Sequence, residues 1–171
     1  MEELKAHIRD VKDFPKKGIV FKDITPLLSD PTAFATVIDE FARRLEGKGV
    51  SKVVGIESRG FIFGAALALK MGIGFVPVRK PGKLPYQTVR ESYQLEYGTD
   101  AIEMHRDAIA AGEKVVLVDD LLATGGTLAA CANLVKSVGG DAVCSLLLIE
   151  LAFLNGREKL PGHDIQTLIT Y

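Results

Sequence analysis

The sequence predicts an α/β fold, a central, mostly parallel twisted sheet flanked by helices. Three observations predict it. Short apolar runs rich in β-branched residues recur at residues 53–56, 115–118 and 143–149. The first two runs each lead through a short loop, residues 57–60 and 119–126, into a stretch of helical length, residues 61–71 and 127–138. Glycine falls at the joints, as in Gly60, Gly125-Gly126 and Gly139-Gly140. Apolar runs this short suit strands buried on both faces, and the order strand, loop, helix, strand implies βαβ units. The 171 residues suit one domain. A composition of 47% hydrophobic and 25% charged residues excludes disorder, collagen and a coiled coil.

Each element can be justified in order. Residues 3–11 read as a short N-terminal helix. Asp30-Pro31 reads as N-cap and first helical residue, opening a helix to about residue 46. Residues 53–56 form a strand and 61–71 a helix. Residues 74–78 form a strand, because Pro77 opposes a helix there. Residues 80–98 turn polar, with Lys80-Pro81-Gly82-Lys83 and several tyrosines, and read as a hairpin-like excursion. For residues 101–107 the Ile102/Met104 alternation suits a strand, whereas Asp100 and Glu103 suit a capping box; the strand is preferred. Residues 115–118, 127–138 and 143–149 complete the pattern as strand, helix and strand. No linker divides the chain, so residues 1–171 form one domain, with residues 80–107 as a flap over one end of the sheet.

Charge and cysteine usage exclude several functions. Lys and Arg total 21 against 22 Asp and Glu, a net charge of -1. Such a chain has no global field for nucleic acid or an anionic membrane. Cys131 and Cys144 sit in apolar runs and read as buried thiols, while His7, His105 and His163 are scattered without metal-ligand spacing. Met1-Glu2-Glu3-Leu4 is no signal-peptide start, and residues 144–154 are too short for a membrane helix and contain Glu150. A soluble, cytoplasmic protein is expected.

The chemistry concentrates in Val115-Val116-Leu117-Val118-Asp119-Asp120-Leu121-Leu122-Ala123-Thr124-Gly125-Gly126-Thr127. A buried strand delivers two carboxylates to its C-terminal end, where α/β sheets bind ligands. Glycines and free N–H groups at the following helix start favour a phosphate, with Thr124 and Thr127 as hydroxyl donors. Two carboxylates would repel a bare phosphate, so they suit sugar hydroxyls or a metal ion. A ligand carrying both phosphate and ribose is the simplest reading. No Walker loop or GxGxxG fingerprint occurs.

This segment resembles the 5-phosphoribosyl-1-diphosphate (PRPP) motif of the type I phosphoribosyltransferases. Residues 18–26, Glu57-Ser58-Arg59-Gly60-Phe61, residues 78–85, residues 93–98, Glu150-Leu151 and residues 156–160 resemble the adenine-using members of that family, in the same order. The resemblance covers residues 12 to 160. It implies the type I phosphoribosyltransferase fold, with a small N-terminal hood of about residues 1–30 and a flexible flap of about residues 80–107. It also implies transfer of the phosphoribosyl group to N9 of adenine, giving AMP and diphosphate in purine salvage.

By the same resemblance, Ala123, Thr124, Gly125, Gly126 and Thr127 cradle the 5′-phosphate, and Asp119 and Asp120 hold the ribose hydroxyls. Glu57, Ser58, Arg59, Arg79, Lys80 and Lys83 meet the diphosphate. Arg59 also contacts adenine, and Glu96 serves as general acid/base with Tyr97 beside it. Val20, Phe21, Lys22 and Leu121 form the base site. Mg²⁺ is expected, bound mainly through PRPP and diphosphate oxygens, and a homodimer is expected. A relative using another base is opposed by residues 20–21 and 95–98. A non-catalytic PRPP-sensing regulator is opposed by the net charge and by Glu96 with its cationic neighbours.

Overall fold

The computed structural model describes residues 2–94 and 98–171. The chain starts with a 3-10 turn, Glu2–His7, and a two-stranded antiparallel ribbon, β1 (Arg9–Lys12) and β2 (Val20–Asp23). This replaces the expected helix over residues 3–11. The charges that suited a helix surface instead find partners across the ribbon: Arg9 meets Asp23, and Lys22 meets Asp10, each at 2.7 Å. A short helix, α1 (Thr25–Ser29), was not foreseen.

Helix α2 (Pro31–Arg44) opens as expected. Asp30 accepts from the Thr32 and Ala33 N–H groups at 2.9 Å each, and Pro31 follows it. Its buried side is Ala33, Val37, Ile38 and Phe41. Next come β3 (Lys52–Ile56), α3 (Gly60–Met71) and β4 (Gly74–Val78). β5 (Thr88–Gln94) and β6 (Thr99–His105) form an antiparallel hairpin, so the strand reading of residues 101–107 prevails over the capping box. The C-terminal half runs β7 (Lys114–Leu122), α4 (Gly126–Ser137), β8 (Asp141–Glu150), two 3-10 turns (Ala152–Leu154 and Gly156–Lys159) and β9 (Ile165–Thr170). β9 was also unforeseen.

Among the described residues, five strands form one parallel sheet in the order β4-β3-β7-β8-β9. β7 lies in the middle and is apolar throughout residues 115–118, all 0% exposed. Its alternate residues serve two cores. Val116 and Val118 pack with Phe41, Phe63 and Leu67 from α2 and α3. Val115 and Leu117 pack with Leu128, Cys131 and Leu134 of α4 and with Ile102 and Met104 of β6. That period of two, buried on both sides, is why the strand reads as a continuous apolar run. Cys131 and Cys144 are free, buried thiols, and burial pushes Cys144 up to about 11.

Candidate active site

The site lies at the C-terminal ends of β3 and β7. β7 extends beyond its apolar run through Asp119 and Asp120 to Leu122, so both carboxylates belong to the strand itself. Asp119 Oδ1 accepts the Asp120 N–H at 2.9 Å. Asp120 is buried, and Arg59 Nε sits 3.0 Å from its Oδ2. Burial raises the Asp119 carboxyl well above the usual carboxylate range, and repulsion from Asp120 adds to this. Burial also raises Asp120, with Arg59 opposing the rise.

These carboxylates border a cavity of about 300 Å³ that also exposes Glu57, Ser58, Arg59, Lys80, Leu121 and Thr127. Tyr93 and Ile102 of the β5–β6 hairpin close its other side. Glu57 accepts the Lys80 N–H at 2.9 Å and Arg79 Nε at 3.2 Å. Burial disfavours the Glu57 charge, but the Lys80 N–H and Arg79 outweigh it and hold the carboxyl below its usual value. The Lys80 ammonium pairs with Asp100 and lies 3.3 Å from the Tyr93 hydroxyl. Burial would lower its pKa, but Asp100 and Tyr93 raise it overall, so Lys80 stays cationic.

A second hollow of about 80 Å³ adjoins the first, formed by residues 121–128 with Asp119. This is the start of α4, where backbone N–H groups lack intrahelical partners. Gly125 holds φ +79° as the N-cap, and a Cβ there would come within 2.1 Å of the Gly156 carbonyl oxygen. No side chain fits, so glycine is required on both grounds.

The other expected residues are placed differently. The Phe21 ring lies 5.1 Å from the Arg59 guanidinium carbon and meets Phe14 edge-on at 5.2 Å. Val20 is 44% exposed on the same ribbon. Lys22 does not line the cavity; its ammonium is held by Asp10 and stacks 3.7 Å over the Tyr171 ring. Arg79 is taken up by Glu57 and by the Lys83 carbonyl at 3.2 Å, and Lys83 is exposed. Glu96 and Tyr97 lie outside the described residues. Reading the sequence missed Asp100 and Ile102. The hairpin register pairs Tyr93 with Asp100, and that register was the signal that would have put Asp100 beside Lys80.

A phosphoribosyl transferase domain model matches residues 28–164. The chain belongs to the phosphoribosyl transferase family. Among its relatives, adenine phosphoribosyltransferase of Geotalea daltonii is 57% identical over 171 residues, 100% of both chains. The crystal structure of adenine phosphoribosyltransferase from Thermoanaerobacter pseudethanolicus superposes with TM-score 0.96 at 56% identity, covering 99% of each chain. The Saccharomyces cerevisiae enzyme, crystallised with an imino-altritol bisphosphate and adenine, has TM-score 0.93 at 42% identity, covering 97% of this chain and 96% of that one. Among the described residues, no helix is long and apolar enough to cross a membrane.

Proposed function

We propose that the chain is an adenine phosphoribosyltransferase, moving the 5-phosphoribosyl group of PRPP onto N9 of adenine to give AMP and diphosphate in purine salvage. The observation that carries this reading is the full-length match, 57% identical, to an adenine phosphoribosyltransferase. The cavity supports it, since a carboxylate pair, a glycine-built phosphate hollow and a cationic wall meet there.

In this reaction the adenine N9 attacks C1′ of the ribose as diphosphate departs from the opposite face. Positive charge develops on the sugar and negative charge on the leaving group. Backbone N–H groups of residues 123–127 anchor the 5′-phosphate, with the Thr124 and Thr127 hydroxyls. Asp119 and Asp120 accept the ribose hydroxyls and set negative charge beside the cationic sugar. Residues 57–60 and Lys80 receive the diphosphate. Phe21 and Leu121 cover the purine faces, with Val20 at the edge and Arg59 between base and leaving group. Glu96 relays the adenine proton, and Tyr97 adds a hydroxyl under the closed flap. Residues 80–107 act as that flap and exclude water from C1′. Residues 1–30 act as the hood.

Among the described residues, no three His, Cys, Asp or Glu side chains cluster to hold a metal alone. Mg²⁺ would be carried in on PRPP, with Asp119 and Asp120 available to hold its waters, and would neutralise the diphosphate as a leaving group. Arg79 and Lys83 lie off the cavity, which suits a role toward a second subunit of a homodimer. The free thiols suit the reducing cytoplasm.

A turnover assay with adenine, PRPP and Mg²⁺ tests the reading, with hypoxanthine as the competing base. AMP should form, hypoxanthine should stay inert, and Glu96→Ala and Asp120→Asn should each lose turnover on the order of a hundredfold. Ribose 5-phosphate binding without AMP formation would move a relative using another base to the front.

A further inference from the structure

Behind the loop of residues 123–127 packs a turn to which the proposed reaction gives no role. Gly156 opens the second 3-10 turn after β8 and is buried. Its backbone is pressed onto the phosphate loop so closely that a Cβ on Gly156 would fall 2.3 Å from the Ala123 carbonyl oxygen. The contact is reciprocal, since the Gly125 position is closed by the Gly156 carbonyl. The next residue, Arg157, has a half-exposed side chain, and all three of its guanidinium nitrogens donate hydrogen bonds. Nε and Nη2 make a bidentate pair with Glu150 at 2.7 Å each, and Nη1 donates to the Ile165 carbonyl at 2.7 Å. Thr167 donates to the same Glu150 carboxylate at 2.9 Å. Glu150 is 8% exposed and is the last residue of β8, in register with Leu122, which immediately precedes the loop. One guanidinium thus ties the turn to the C-terminal end of β8, which pairs with the end of β7, and to the first residue of β9.

A glycine loop with a positive-φ N-cap has many accessible conformations, and ordering it on a ligand costs affinity. A bidentate Arg–carboxylate pair has a fixed geometry that removes this freedom in advance. We infer that Gly156, Arg157 and Glu150 are positioning residues for the sugar-phosphate arm, holding the loop of residues 123–127 in its phosphate-binding shape without touching substrate. The inference rests on the proposed PRPP reading. It makes a selective demand, because the diphosphate half of the cavity is built from residues 57–60 and Lys80, which this clamp does not touch.

The full-length protein should be titrated calorimetrically with ribose 5-phosphate and, separately, with inorganic diphosphate. Gly156→Ala and Arg157→Gln should weaken ribose 5-phosphate about tenfold and raise the KM for PRPP similarly, leaving diphosphate affinity and the KM for adenine within about twofold. Arg157→Lys keeps the charge without the fork and should restore only part of the loss. Thr167→Val removes one hydrogen bond onto Glu150 and should give a smaller loss of the same selectivity. It provides the test even if the stronger variants fail to fold. An unchanged ribose 5-phosphate affinity in folded variants overturns the inference, as does an equal loss of both anions, which marks a merely structural role. AMP formation by the parent keeps the two questions apart. A parent active beside variants of normal affinity refutes the clamp alone. A parent that binds ribose 5-phosphate yet makes no AMP refutes the reaction, and the anion ratio still decides the clamp. A parent that binds no ribose 5-phosphate refutes both.

Discussion

Asp119 meets two opposed demands. In the proposed reaction it accepts ribose hydroxyls, yet burial and the adjacent Asp120 charge both disfavour its ionised form. Its folded pKa lies above the unfolded value, so the folded protein binds this proton more tightly than the unfolded chain does. Stability is then fully present below the unfolded pKa and is lost as pH rises through the folded one. Asp119→Asn removes that repulsion and keeps an oxygen to accept the Asp120 N–H. Its Tm at pH 7.5 should exceed the parent's by about 2–4 °C, with the gap closing in acid, while kcat/KM for PRPP falls on the order of a hundredfold. A lower Tm at pH 7.5, or a gap persisting in acid, would sink the idea. The carboxylate pair was legible because an apolar strand runs straight into it. Asp100 and Ile102 were not, since their place at the cavity depends on hairpin register rather than on neighbours in sequence. Lys22 shows the converse: its segment was legible, but the side chain's partners, Asp10 and Tyr171, are distant in the chain.

At the scale of elements, α3 carries the dimer question. One side, including Phe63, Leu67 and Ala68, is buried against the sheet, yet the opposite side is also apolar. Ile62 is 39% exposed and Leu69 85% exposed, with exposed Ala65 between them. A helix apolar all round is normally buried, and a second copy of this chain is the cover that the homodimer proposal supplies. Leu69→Asp and Ile62→Asp should each shift the protein to monomer in sedimentation velocity at micromolar concentration, since burying one such side chain contributes about 2 kcal/mol. Dimers surviving both substitutions would move the interface elsewhere. The same helix illustrates which elements were readable. β3, α3, β4, β7, α4 and β8 announced themselves because buried parallel strands are apolar and their loops rich in glycine. The β1–β2 ribbon did not, because charged residues there satisfy each other across strands and mimic a solvated helix. β9, Ile165–Thr170, mixes polar and apolar residues at the sheet edge and closes the sheet without a motif of its own.

Over the whole molecule, stability against pH is a contest between two sets of carboxylates. Asp23 is held at about 2 by Thr25 and Arg9, Glu40 at about 2 by Arg43 and Arg44, and Glu113 at about 2 by the Ala110 N–H, Lys52 and Ser51. They fasten different parts: the β1–β2 ribbon, the end of α2, and the loop before β7 onto β3. Arg44 also reaches the Thr167 carbonyl, joining α2 to β9. Their folded pKa values lie below the unfolded ones, so their contribution is present above the unfolded carboxylate range and is lost as pH falls from about 4.5 toward 2. Asp119 and Asp120 pull the other way, favouring the protonated folded state as pH falls toward the usual carboxylate range. The parent's Tm should therefore pass through a maximum in mildly acidic solution, declining steeply below about pH 4.5 and more gently toward neutrality. Glu40→Gln with Glu113→Gln should lower Tm at pH 7 and flatten the acid limb. Asp119→Asn should flatten only the neutral limb. Calorimetric scans across pH 3–8 on the parent and these two variants separate the contributions. A parent curve with no decline toward neutrality would mean that Arg59 and the solvent in the cavity already neutralise the pair, and that the ligand-free site stores no charge repulsion.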